Sequence, residues 1–291
     1  MTSAGGPAGF SAAEVKACCA VAYEGDWARL LLGDSFHPGG IALTLRLGKL
    51  MGLGPSSVVL DVASGVGTSA VALATRYGCR VVGVDLSDAN IAAARTAAAA
   101  ARVEHLVAFR VGDAEHLAEA TAAFDAVICE CALCTFPDKE AAAREFARVI
   151  RPGGVVGISD LTRSGALPPE LDSLLGWVSC VADARSPQEY IAHLEGAGLA
   201  IERHETHDDA LRDLVRGVRL TLLGAKVAAK LGKLDLSESD IETALRLSAA
   251  ALTAVEVGTL GYALLVSRAP VMEQSRGVEA PRSPVPSLDV P

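Results

Sequence analysis

The chain lacks a basic charge excess, a long apolar run and a cysteine framework, and each absence removes a class of function. Lys and Arg number 26 against 35 Asp and Glu, a net charge of −9 with His neutral. Binding phosphate backbones without sequence preference needs a cationic surface, so no nucleic acid is expected as the main partner. Mean hydropathy is high, at +0.34. Yet no stretch reaches the ~18–20 uncharged apolar residues that span a bilayer. The longest candidates, such as residues 62–75, are interrupted by Ser, Gly and Thr. The hydropathy therefore reads as the Ala and Val of a soluble core, and no membrane partner is expected. Seven cysteines in 291 residues are too few for a disulfide scaffold. Residues 1–11 show no basic segment followed by an apolar run, so no secretory leader is read there and a cytoplasmic location is expected. In that reducing compartment the thiols are core filler, ligands of a metal or metalloid, or reactive groups.

What is present is a large apolar inventory, 51% of the residues, enough for one large α/β domain or a smaller domain with an appended lobe. Residues 11–32 read as a helix, with Ser11 and Glu14 at capping-box spacing, and 41–51 as a second. From residue 58 short apolar runs alternate with helical segments. Strands are expected at 58–61, 80–85, 106–111, 124–130 and 155–160. Helices are expected at 68–77, at 88–101 with Asp88 as N-cap, and at 138–149. This alternation predicts a doubly wound, mostly parallel sheet with helices on both faces. Further on, helices are expected at 170–184, 187–197, 209–231 and 239–256, the last opened by Ser239 and Glu242. Strands are expected at 199–205 and 260–267. The expected division is N-terminal helices over 1–55, a core over 56–165, an acceptor-side helical lobe with the last strands over 166–268, and a Pro-rich, disordered tail over 269–291.

The clearest chemistry lies in Val58-Val-Leu-Asp-Val-Ala-Ser-Gly-Val-Gly-Thr68. A strand ends in Asp61, and the small turn Ala63-Ser64-Gly65 and Gly67 lets the backbone approach a ligand before Thr68 opens a helix. Asp85 ends the next strand 24 residues after Asp61, where a carboxylate meets a ribose diol, with Leu86 beside it. A dinucleotide site cradles a pyrophosphate at the helix N-terminus and normally has no acid just before the glycines. A cationic ligand favours such an acid. Gly112-Asp113-Ala114-Glu115 follows the third strand, Glu130 ends the fourth, and Arg151-Pro-Gly-Gly154 precedes the fifth. Over residues 36–160 this set resembles the class I S-adenosylmethionine-dependent methyltransferases, with Ala63 where the family's first glycine stands. The resemblance implies a seven-stranded Rossmann-like fold and S-adenosylmethionine as cofactor. It implies cofactor contacts from Asp61, Ala63, Ser64, Gly65, Gly67, Thr68, Asp85, Leu86, Asp113, Ala114, Glu115 and Glu130.

Cys129, Cys131 and Cys134 flank the end of the fourth strand, beside the expected donor. On a strand Cys129 and Cys131 point one way and Glu130 the other. Cys79 and Cys129 read as core. Lys16-Ala-Cys-Cys19, Glu130-Cys-Ala-Leu-Cys-Thr-Phe-Pro-Asp-Lys139, Ile158-Ser-Asp160 and Trp177-x-x-Cys180-x-x-Ala-x-Ala184 resemble the arsenite methyltransferases. That resemblance implies Cys131, Cys134 and Cys180 as catalytic and metalloid-holding thiolates, with Cys18 and Cys19 matching the family's N-terminal pair. Glutathione or another thiol is an implied partner. The family's cysteine after the glycine loop falls near Ala70 here, and no cysteine follows Cys180.

The expected function is methyl transfer from S-adenosylmethionine to a small-molecule or metalloid acceptor, with thiol-bound arsenic(III) foremost. Arsenic(III) carries its own lone pair and needs aiming rather than a general base. Two alternatives stay open: an organic acceptor at oxygen, nitrogen or carbon, and a non-catalytic module that senses metalloid or thiol state. His37, in Phe36-His-Pro-Gly-Gly40, lies in a loop placed to close over the donor, or is a turn residue before proline.

Overall fold

A computed structural model describes residues 11, 14, 16, 37–171, 181, 183–230 and 237–271. Seven strands form one sheet: β1 (Val58–Val62), β2 (Arg80–Asp85), β3 (Val107–Val111), β4 (Phe124–Glu130), β5 (Ile150–Arg163), β6 (Ala200–Thr206) and β7 (Leu260–Arg268). Their spatial order is β3-β2-β1-β4-β5-β7-β6. The pairs from β3 through β5 are parallel, and β7 runs antiparallel to both its neighbours. The helices are α1 (Gly40–Leu50), α2 (Thr68–Tyr77), α3 (Asp88–Ala101), α4 (Lys139–Val149), α5 (Pro187–Gly196), α6 (Asp208–Lys230) and α7 (Glu238–Glu256). The doubly wound, mostly parallel architecture is the one expected.

Alternate strand residues feed two cores. Val59, Val81 and Ile128 pack with Leu43, Leu47 and Leu73 of α1 and α2 on one face. Leu60, Val82, Val127 and Cys129 pack with Phe146, Tyr190 and Leu194 of α4 and α5 on the other. Strands buried on both sides explain the near-continuous apolar runs in the sequence.

Several boundaries differ from expectation. Ser87, not Asp88, caps α3. Its backbone is extended and its hydroxyl accepts from Asn90 N at 3.0 Å, which leaves Asp88 in the first turn. Ser237 caps α7, two residues before the expected Ser239, by accepting from Asp240 N. β5 begins at Ile150 rather than 155, because the chain pairs with Phe124 before a register shift. Ser11 and Glu14 do make the reciprocal capping bonds. Apart from Ser11, Glu14 and Lys16, the expected helix over 11–32 lies outside the described residues, as does most of 170–184 and all of the tail beyond 271.

Candidate active site

The strand order reverses between β1 and β4, where each neighbours the other while their following crossovers run to opposite sides. In such sheets the crevice beyond the strand C-termini receives a ligand. A pocket opens there, lined by Asp61, Ala63, Ser64, Gly65 and Thr68 after β1 and by Asp85 and Leu86 after β2. Gly112, Asp113 and Ala114 after β3, with Glu130 and Cys131 after β4, continue the lining. Of the twelve residues expected at the cofactor, Gly67 and Glu115 are the two outside it.

The two glycines of the loop have different tasks. Both have positive φ, +53° at Gly65 and +80° at Gly67. A Cβ at Gly65 would meet nothing within 4 Å, which leaves the backbone bare toward the pocket. A Cβ at Gly67 would sit 2.8 Å from Ala94 and Phe109, so this glycine seats α2 against α3 and β3.

Asp61 is 2% exposed, and its Oδ2 meets no hydrogen-bond donor among the described residues. Burial pushes its carboxyl well above the ordinary value, and the nearby charges of Glu130 and Asp85 push the same way. Ser64 Oγ is likewise buried without a described partner. Asp85 accepts from Gly65 N at 2.8 Å, from Ser87 N at 2.9 Å and from Asn90 Nδ2 at 3.2 Å. It is thus fixed to both the glycine loop and the start of α3. Across the pocket Lys16 Nζ lies 2.7 Å from Asp113 Oδ2 and 2.5 Å from Glu115 Oε2. Burial acts to raise Asp113, but the Lys16 hydrogen bond and charge hold it below the ordinary carboxylate range.

Glu130 is a junction. Its Oε2 accepts from Ser69 Oγ at 2.6 Å and Thr44 Oγ1 at 2.9 Å, and its Oε1 from Ser159 Oγ at 3.2 Å. His37 is 5% exposed and lines the same pocket. Thr44 and Ser69 carry no motif signal, although Ser69 follows the glycine loop by two residues. The anchoring of Glu130 was therefore invisible in the sequence.

The cysteines separate. β4 ends at Glu130, and Cys131 has φ +51°, so the chain turns out of the strand at that residue. Cys129 is fully buried on the α4 face, whereas Cys131 lines the pocket and packs on the opposite core. The expected common face for these two thiols is thereby overturned by a left-handed residue. Cys134 is fully buried in a 3-10 turn, outside the pocket lining, and its N–H donates to Asp160 Oδ2 at 3.1 Å. Cys79 and Cys129 are core as expected. Burial raises both thiols, Cys79 to about 11. Cys18, Cys19 and Cys180 lie outside the described residues.

Lys139 ties the cysteine loop to the following lobe. Its buried ammonium donates to the carbonyls of Cys134 (2.9 Å) and Phe136 (3.0 Å) and to Asp183 Oδ2 (2.5 Å).

The strand order, with a β1 carboxylate and a glycine loop at its switch point, is that of the Rossmann-like methyltransferase fold. Residues 60–158, about a third of the chain, match the family described as a methyltransferase domain. Methyltransferase GfsG of Streptomyces halstedii is 32% identical over 169 residues, 57% of this chain and 61% of that protein. An arsenite methyltransferase of Halobacterium salinarum is 31% identical over 206 residues, 66% of this chain and 52% of that protein. The 27-O-demethylrifamycin SV methyltransferase of Amycolatopsis mediterranei is 32% identical over 166 residues, 56% and 61% of the two chains. The matches thus span about half to three fifths of these relatives. Among solved structures, the [4+2]-cyclase SpnF aligns with TM-score 0.72 and 21% identity, over 90% of this chain and 98% of that one. Haemonchus contortus phosphoethanolamine N-methyltransferase 2, in complex with S-adenosyl-L-methionine, aligns with TM-score 0.69 and 21% identity, over 91% and 58%. These likenesses concern the fold. No helix among the described residues is long and apolar enough to cross a membrane.

Proposed function

We propose that the chain is an S-adenosylmethionine-dependent methyltransferase acting on a small organic acceptor. The observation that carries the reading is Asp61, which lines a glycine-lined pocket and whose buried carboxylate has one oxygen unmet among the described residues. An unpaired buried acid is costly unless a ligand completes it. A ligand with a positively charged amino acid part meets that need, and a phosphate does not. Asp61 would hold that part of S-adenosylmethionine, Gly65 would admit it to the backbone, and Asp85 would accept from the ribose hydroxyls. Leu86 and the Asp113–Ala114 turn would receive the adenine. When bound, S-adenosylmethionine supplies a methyl carbon made electrophilic by its sulfonium. The chain's own task is to hold an acceptor in line, about 3 Å away, and to exclude water.

For the acceptor, one described thiol, Cys131, lines the pocket, while Cys134 is core. An arsenic(III) centre needs about three soft ligands. Among the described residues one is offered, so the soft-acceptor reading requires glutathione sulfurs, or Cys180, Cys18 or Cys19, to complete the set. The pocket position of Cys131 and the arsenite methyltransferase relative keep that reading as the second. The deciding assay measures S-adenosylhomocysteine release with arsenite plus glutathione against a panel of phenols, catechols and amines. Turnover of organic acceptors by Cys131→Ser and Cys134→Ser at near wild-type rates supports the organic reading. Turnover of arsenite alone, lost in Cys131→Ser, reverses it. Donor binding with no product from any acceptor points to a sensing module.

A further inference from the structure

The wall of the pocket contains a hydrogen-bonded chain that is one proton short. His37 Nδ1 lies 3.1 Å from the carbonyl oxygen of Pro38, which only accepts, so Nδ1 carries a hydrogen. His37 Nε2 lies 3.2 Å from Thr44 Oγ1, and Thr44 Oγ1 lies 2.9 Å from Glu130 Oε2. A hydroxyl has one proton and meets one of these neighbours. With neutral His37 and ionised Glu130, the other contact sets two lone pairs against each other. One added proton makes both bonds: Nε2–H donates to Oγ1, and Oγ1–H donates to Oε2. The remaining partners of Glu130 offer no such slot, because Ser69 and Ser159 already donate to it and Ser159 in turn accepts from the Tyr262 hydroxyl at 3.0 Å.

The chain is buried and borders the pocket. The His37 and Glu130 side chains are each 4% exposed and both line the pocket, and Thr44 is fully buried between them. A ligand seated in the pocket is therefore placed to supply the proton that completes it.

We propose that His37, Thr44 and Glu130 form a relay that takes the proton released by the acceptor, and that the acceptor is accordingly a protic nucleophile, a hydroxyl or an amine. This rests on the methyltransferase reading above and specifies its acceptor. In the step, the acceptor X–H bond breaks and its proton passes to Glu130. Thr44 hands its own proton to His37 Nε2 and takes the one from Glu130. The X–C bond forms, the methyl–sulfur bond breaks, and that electron pair stays on sulfur. The products are methylated acceptor, a neutral thioether and imidazolium, which then loses its proton to solvent. Arsenic(III) held by thiolates brings no proton and leaves the relay idle. The titratable groups facing the chain are Asp61 on β1, Cys131 next to Glu130, and Tyr262 on β7 with Asp160 on β5 beyond it. Lys16, Asp85 and Asp113 stand across the pocket.

The test uses the full-length protein with S-adenosylmethionine and catechol, ethanolamine or arsenite plus glutathione. Thr44→Val removes the bridge and Thr44→Ser restores it. With a protic acceptor, Thr44→Val lowers kcat roughly 10²-fold or more near neutral pH and recovers as pH rises and the acceptor ionises unaided. KM and S-adenosylhomocysteine affinity stay within about threefold, and Thr44→Ser keeps most of the rate. A reading free of acceptor choice is the His37 Nε2–H signal in nitrogen-15 spectra at mildly acidic pH. It should be protected from exchange in the wild type and absent in Thr44→Val. Superimposable pH–rate profiles for wild type and Thr44→Val, an unprotected Nε2–H in the wild type, or arsenite turnover unchanged in Thr44→Val with no protic acceptor used would each overturn the relay. Loss of S-adenosylhomocysteine binding by the wild type would instead overturn the methyltransferase reading.

Discussion

Asp61 sets stability against binding at a single side chain. Its raised carboxyl means that the ligand-free fold holds the Asp61 proton more tightly than the unfolded chain does. That contribution is complete below the ordinary carboxylate range and is lost as pH rises toward the folded-state value. A cationic ligand needs the ionised form, so donor affinity should fall as pH drops through the same raised value. Asp61→Asn removes the buried charge and should therefore make ligand-free stability less dependent on pH above the ordinary carboxylate range. It should also weaken donor binding at least roughly tenfold and flatten its acid dependence, with calorimetric titrations across pH as the measurement. The two loop glycines make a paired prediction. Gly67→Ala should lower the melting temperature, since its Cβ would strike Ala94 and Phe109. Gly65→Val should cost mainly donor affinity, because its surroundings are open. Thermal melts with and without S-adenosylhomocysteine separate the two. The positions of Asp61, Gly65 and Asp85 were legible because strand ends and turns leave short local signatures. Cys131 was not. Its side-chain direction depends on a left-handed φ at a strand end that alternation rules do not encode, and Cys134 looks like a ligand in sequence while it packs as core.

Among the elements, the segment after β4 depends on a buried cation. Lys139 at the start of α4 holds two carbonyls of the cysteine turn and the carboxylate of Asp183, which also accepts from Arg185 at 2.6 Å. Lys139→Ala should destabilise the protein by about 3 kcal/mol. Arg185 keeps Asp183 partly paired, so the effect should lie at the low end for a broken buried pair. Denaturant unfolding measures it. Increased proteolysis within 131–136 before global unfolding would show that the loop loosens first. The helices themselves were readable from periodicity, but their first residues were not. Ser87 and Ser237 outcompete Asp88 and Ser239 because a cap needs an extended backbone one step before the helix, and several polar residues in a row offer equal candidates.

Across the whole molecule, pocket and sheet are one structure. Glu130 receives hydroxyls from α1, α2 and β5, so a ligand that fills the pocket should steady all three. S-adenosylhomocysteine at a hundredfold excess over its Kd should add about 2.7 kcal/mol. For a chain of this size that is roughly a 5–10 °C rise in Tm by scanning calorimetry. An unchanged Tm would contradict the donor-pocket assignment. The parallel core was legible because apolar runs alternate with helices, whereas the order β5-β7-β6 depends on pairing between segments distant in sequence. That order has a consequence for how the chain is made. Among the described residues β6 pairs only with β7, and β7 lies between β5 and β6, so the sheet cannot close until residue 268 has left the ribosome. Until then β5 shows an open edge and β6 has no partner, the state in which strands pair with the wrong chain. A chain stopped at residue 256 should accumulate in the insoluble fraction on expression, and nascent chains of that length should recruit chaperones that the finished protein releases.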